Sequence, residues 1–213
     1  MSWTRRGILA GGAVAIGAAG YWAYSQDLIG GKQASEPQLP RPPLLGDVNA
    51  PKRLVMWGSY TCPFTAMLLP VLQQIVHDLP QTVSLEWRHL PAHPPDPALH
   101  VAGLGFTAAE HFWGFTSAIL GFVLAAGGPY DGLTPEKILE FAAAQGASEA
   151  DLKNAYADKN KWAAVKEDFL AGHLLGVKMT PGLFFNGYFL TPNGVPTNLP
   201  AFNKSLRDML QHA

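Results

Sequence analysis

Two apolar runs separated by one helix-like stretch constrain this chain more than any other feature. Arg53-Leu54-Val55-Met56-Trp57 is a short run that stops at Gly58, and Thr82 to Arg88 alternates apolar and polar residues with period two. Both patterns are those of strands. Between them Pro63 opens a stretch in which Leu68, Leu72, Ile75 and Val76 fall on one helical face, with Pro70 inside it as a kink signal. A strand, a helix and a strand this closely spaced predict a parallel pair joined by a right-handed crossover. Cys62 sits where the first strand hands over to the helix.

From about residue 96 to 175 the apolar period becomes 3.6 and stays there. Ala98 to Leu104 and Ala108 to Val123 read as helices; Thr134-Pro135 and Ser148-Glu149-Ala150-Asp151 have the residue types that open two more; Lys161 to Leu175 is the last and stops at Gly176. Strand-like sequence then returns as Leu183-Phe184-Phe185 and Tyr188-Phe189-Leu190 around the turn pair Asn186-Gly187, a strong hairpin signal. Ala201 to Leu210 closes the chain as an amphipathic helix. The order is βαβ, an all-helical insert, ββα.

Ahead of the domain, Arg5-Arg6 precedes a Gly/Ala-rich apolar run to Tyr24 with no acidic residue, the shape of an export signal, and Thr4-Arg5-Arg6-Gly7-Ile8-Leu9 is similar to a twin-arginine signal. About 18 apolar residues make roughly 27 Å of helix, just short of a bilayer core of about 30 Å. Residues 1–26 are therefore read as either a cleaved export signal or an uncleaved membrane anchor, 27–50 as a proline-rich linker, and 51–213 as the folded domain. With 15 basic and 16 acidic residues the formal charge is −1, so nothing in the charge balance points to nucleic acid.

Cys62 is the single cysteine, which rules out an intrachain disulfide and a thiolate cluster for structural zinc. At a helix start its sulfur faces unpaired N–H groups and the positive end of the helix dipole, an environment that suits a reactive thiolate. Thr65, one turn on, is placed to aim its hydroxyl at that sulfur. His89, His93 and His100 are the metal candidates, but His89-Leu90-Pro91-Ala92-His93 reads as a proline-broken turn, so they are taken as solvated loop residues and no metal is expected. Phe106, Phe112, Trp113, Phe115 and Phe122 read as the insert's core, with a groove beside Cys62 as the alternative use.

The chain resembles the DsbA-like family of thiol:disulfide oxidoreductases, which have a thioredoxin-like fold with a helical insertion. The likeness runs over most of residues 46–212. It is carried by Gly46-Asp47-Val48-Asn49-Ala50-Pro51, Tyr60-Thr61-Cys62-Pro63-Phe64, Leu90-Pro91, Glu110-His111-Phe112-Trp113-Gly114-Phe115, and Gly176-Val177-Lys178-Met179-Thr180-Pro181 with Phe184-Phe185-Asn186-Gly187. The resemblance implies an α/β fold, a cis Thr180-Pro181 bond facing Cys62, and substrate contacts from Pro63, Phe64, Thr180 and Pro181. Three departures stand out: Thr65 occupies the place of the family's second cysteine, Val55 to Ser59 lacks the acidic residue often found under the site, and Met179 replaces a usual glycine.

A monothiol mechanism follows, with Cys62 and Thr65 as the catalytic pair. The expected partners are disulfide-containing exported proteins in the periplasm, or glutathione as a co-substrate, with no bound cofactor. Two alternatives are a binding or chaperone module that has lost turnover, and an enzyme similar to kappa-type glutathione transferases, which generally place serine at the active-site turn.

Overall fold

The computed structural model describes residues 39–127 and 132–212. The expected signal or anchor, residues 1–26, and the first part of the linker lie outside them. Four strands form one sheet: β1 (Lys52–Gly58), β2 (Val83–His89), β3 (Gly182–Phe185) and β4 (Tyr188–Phe189), in the order β2-β1-β3-β4. The β1–β2 pair is parallel, with Lys52 opposite Val83 and Gly58 opposite His89, and the other pairs are antiparallel. The crossover between β1 and β2 is α1 (Pro63–Asp78), which runs through Pro70. The insert supplies α2 (Asp96–Gly103), α3 (Ala109–Ala125), α4 (Pro135–Ala143), α5 (Glu149–Ala157) and α6 (Lys159–Leu174), and α7 (Leu199–His212) ends the chain.

Alternation along the strands divides the core. Leu54, Met56, Leu183 and Phe185 face α1 and the aromatic side of the insert, while Val55, Trp57 and Phe184 face the α6 side with Leu90, Val177 and Phe169. Phe112, Phe115, Ile119 and Leu120 on α3 are buried in the first cluster, and Phe106 and Trp113 join them. The close packing of α6 on Trp57 needs Gly172, where a Cβ would lie 2.7 Å from the indole Cδ1.

The punctuation signals act as their chemistry requires. Thr134 accepts from the Lys137 N–H, and Ser148 and Asp151 form a reciprocal capping box. Gly176 (φ +82°) ends α6 with the Val177 N–H returning to the Gly172 carbonyl, a Schellman closure. Asn186 and Gly187 both have positive φ, which gives the tight hairpin its twist.

Two regions differ from the sequence reading. The last part of the expected linker is packed on the domain: Leu45 exchanges two backbone hydrogen bonds with Leu85, Trp113 donates to the Pro43 carbonyl, and Arg41 pairs with Glu167 and Asp168. Asp168 is itself buried, bonded by Arg88 and by the His89 N–H. Burial pushes its carboxyl up, against the pull of Arg88 and Arg41. A polar anchor of this kind is invisible to hydrophobic periodicity.

The histidines are the second correction. His89 is the last residue of β2 and His100 lies on α2; both are fully buried, with their Nδ1 atoms 2.8 Å apart, and only His93 is exposed. Burial, followed by the charges of His100, Arg41 and Arg88, holds His89 well below the ordinary 6.5. The unfolded chain therefore binds a proton at His89 that the folded protein refuses, and below about pH 6.5 this group costs about 1.4 kcal/mol of stability per pH unit until it titrates in the native state. Unfolding midpoints followed from pH 8 to pH 5 should fall more steeply for wild type than for a His89→Gln variant. Parallel curves would mean that His89 carries no such linkage.

Candidate functional site

Gly58 ends β1, and the chain must turn at once to start α1. A Cβ at Gly58 would sit 2.4 Å from the Trp87 ring, so only glycine lets β1 lie this close to β2 at its exit. The turn that follows, Ser59 to Thr61, is buried, and Cys62 emerges from it half-buried as the N-cap residue of α1. Its side chain does not cap the helix. Instead Sγ lies 3.3 Å from the Thr180 carbonyl oxygen, to which the thiol donates.

The Thr180-Pro181 bond is cis. Thr191 fixes this loop: its hydroxyl donates to the Pro181 carbonyl at 2.9 Å and accepts from the Leu183 N–H at 2.9 Å. Pro63 and Phe64 continue from Cys62 along the same wall, with Phe64 half exposed to solvent. The residues that the resemblance implied as substrate contacts thus surround one sulfur: Pro63, Phe64 and Thr180 line a groove with Cys62, and Pro181 is buried behind Thr180.

Thr65 differs from its expected geometry. It is fully buried and its Oγ1 accepts from the Ser59 N–H at 3.5 Å. Among the described residues no hydrogen bond joins it to Cys62. The hydroxyl fills a position in the floor of the turn, one helical turn along from the sulfur, and stabilises the backbone that presents Cys62.

The groove has a volume of about 670 Å³ and is open to solvent. Beyond the residues already named it is walled by Leu90, Pro91 and His93 on one side, Phe169 and His173 of α6 on another, and Lys178, Met179 and Gly194 near the cis bond. The Phe169 and His173 rings pack edge to face, with centroids 4.3 Å apart. None of the insert aromatics proposed from the sequence as groove residues lines it. Phe169 takes that role, and its i, i+4 spacing to His173 was the readable signal.

Asp96, which sequence reasoning passed over, organises the site from beneath. It is fully buried at the start of α2 and accepts from Ser59 Oγ at 2.6 Å, the Tyr60 N–H at 2.8 Å and the Ala92 N–H at 2.7 Å, while His100 Nε2 stands 3.3 Å away. Burial pushes its carboxyl up, but His100 and these hydrogen bonds outweigh that and hold it below the usual carboxylate range. One carboxylate thereby ties the Cys62 turn to the opposite groove wall. Its signal in the sequence was Pro95-Asp96-Pro97, an acid in the first turn of a helix next to the histidines.

The model of the family described as Thioredoxin matches residues 38–201. Among solved structures, the thiol-disulfide exchange protein alpha-DsbA2 from Wolbachia pipientis superposes with a TM-score of 0.70 at 18% identity, covering 93% of this chain and 96% of that one. The catalytic domain of Proteus mirabilis ScsC gives 0.63 at 17% identity over 80% and 90% of the two chains. A thioredoxin-like oxidoreductase from Silicibacter pomeroyi gives 0.65 at 18% identity over 82% and 95%. Among curated proteins, the Na(+)/H(+) antiporter NhaA 3 of Salinispora tropica is 26% identical over 145 residues, 67% of this chain. The chain spans 21% of the length of that relative. With the family pattern running through the cysteine turn, the insert and the cis-proline loop, the chain belongs to the thioredoxin family and has the DsbA-like fold.

Proposed function

We propose that this protein is a monothiol thiol:disulfide oxidoreductase in which Cys62 exchanges with substrate disulfides bound in the groove. The observation that carries this reading is the position of Cys62 Sγ, half-buried at the start of α1 and 3.3 Å from the Thr180 carbonyl, on the wall of an open groove. A lone cysteine kept for packing would be enclosed in the core.

The exchange runs in two balanced steps. The Cys62 thiolate attacks one sulfur of a substrate disulfide, the substrate S–S bond breaks, and the leaving sulfur departs as a thiolate. A second thiol then attacks the mixed disulfide and releases Cys62. When that thiol belongs to the substrate, the result is isomerisation; when it is glutathione, the substrate is reduced and glutathione is the co-substrate. Because Thr65 cannot resolve the intermediate, Cys62 alone does not oxidise a client dithiol. Thr65 acts through the Ser59 backbone as a positioning residue, and Thr180, Pro181, Pro63 and Phe64 hold the substrate chain. Disulfide-containing exported proteins are the clients that the N-terminal segment suggests, met in the periplasm by a protein that is either released there or tethered to the inner membrane.

Incubation with oxidised glutathione should add one glutathionyl group to the intact mass of wild type and none to Cys62→Ser. Failure of the folded wild type to gain it under conditions that modify a free thiol would remove the nucleophile. The empty resolving position gives a second expectation. Thr65→Cys should form an intrachain disulfide with Cys62, one helical turn away, and gain dithiol oxidase activity on a reduced model client. Two thiols that stay unpaired under oxidant would show that this turn has lost the oxidoreductase geometry.

A further inference from the structure

We propose, resting on the exchange reading above, that the preferred substrate disulfide is flanked by carboxylates and that Lys178 selects it. The charge around the groove is one-sided. Lys178 lines it, and none of the described lining residues is Asp or Glu. This contrasts with the chain as a whole, in which 16 acidic residues slightly outnumber 15 basic ones.

Lys178 is also available. Lys137, Lys153, Lys161 and Lys204 are each held by a carboxylate at 2.6–2.8 Å, whereas Lys178, like Lys159 and Lys166, is exposed and has no ion pair among the described residues; of these three only Lys178 lines the groove. It stands two residues before Thr180, whose carbonyl meets the Cys62 sulfur, so its flexible stem leaves the chain beside the point of attack. The Asp96 carboxylate lies beneath the Cys62 turn, buried and hydrogen-bonded by Ser59, Tyr60 and Ala92, and is not among the residues that line the groove. α1 begins at the sulfur with no acidic residue in its first turn, leaving the positive end of its dipole uncompensated. An anionic disulfide approaching Cys62 meets attraction from Lys178 and the helix start. A cationic one meets repulsion from both.

The chemistry is the exchange already described, so no further reactant is needed. Carboxylates beside a disulfide occur in low-mass disulfides such as oxidised glutathione and in acidic stretches of protein clients.

The test compares three small disulfides of similar reach: anionic dithiodipropionate, neutral hydroxyethyl disulfide and cationic cystamine. Each rate constant for mixed-disulfide formation with the full chain is divided by that for the same disulfide with free mercaptoethanol, which removes differences in leaving group. At low salt the normalised anionic rate should exceed the cationic rate by about fivefold or more, the effect of one solvated charge pair at contact distance. The ratio should shrink in high salt, fall in Lys178→Gln to the smaller preference that the start of α1 leaves, and drop below one in Lys178→Glu. Oxidised glutathione and a Glu-flanked peptide disulfide, each compared with a Lys-flanked peptide, separate the two sources: the proposal expects both to outpace the Lys-flanked peptide, and the faster of the two names the source. Equal normalised rates for the three small disulfides, a faster cationic one, or a charge preference untouched by both Lys178 variants would overturn the selection while leaving the exchange reading intact. No reaction of Cys62 with any of them would instead overturn the exchange reading.

Discussion

The Asp96 carboxylate is the contact on which the site depends. A buried charge without partners would cost several kcal/mol. Here it is compensated by three hydrogen bonds and by His100, and every one of those partners belongs to a segment that has to be held in place. Ser59 and Tyr60 carry the Cys62 turn, Ala92 belongs to the loop forming the opposite wall, and His100 connects inward to His89 at the end of β2. One side chain thus joins the Cys62 turn to the opposite wall of the groove from below.

The sheet does the coarser positioning. β1 and β2 run parallel and end together at Gly58 and His89, so the turn to Cys62 and the loop after Leu90 leave the sheet side by side. β3 approaches β1 antiparallel and brings Pro181 and Thr180 to the same edge. The insert reaches both faces, with α3 against α1 and α6 against β2, and α6 contributes the third wall through Phe169 and His173. Thr65 stands one helical turn from Cys62, the single cysteine of the chain, so in the exchange we propose the second reactant is an outside thiol.

Much of this was legible in the sequence because it rests on local signals. The period-two and period-3.6 patterns located the strands and helices, Asn186-Gly187 located the hairpin, and Gly176 located the end of α6. Cys62 was identified by its place at a strand-to-helix junction, and the cis-proline loop by resemblance. What escaped was set by contacts between residues distant in sequence. The carboxylate of Asp96 reaches Ser59 and Tyr60 across the end of the sheet, and no composition or period announces that pairing. His89 reads as a turn residue until β2 is known to extend through it. Residues 39–50 read as linker because their anchors, Arg41 to Asp168 and Leu45 to Leu85, are polar or single. Helical spacing gives the distance of Thr65 from the sulfur along the chain and says nothing of its rotamer, which turns the hydroxyl to the Ser59 N–H.

In the proposed exchange the fold presents Cys62 to a substrate and does not merely store it. The most direct measurement is the second-order rate constant of Cys62 with oxidised glutathione at one pH, in the folded protein and in the same chain unfolded in urea, with a free-thiol peptide as the correction for solvent. The folded protein should react faster than the unfolded chain, since the groove and the start of α1 act only when folded. A folded protein that reacts no faster than the unfolded chain would contradict it and make Cys62 a packing residue at the rim of an idle groove.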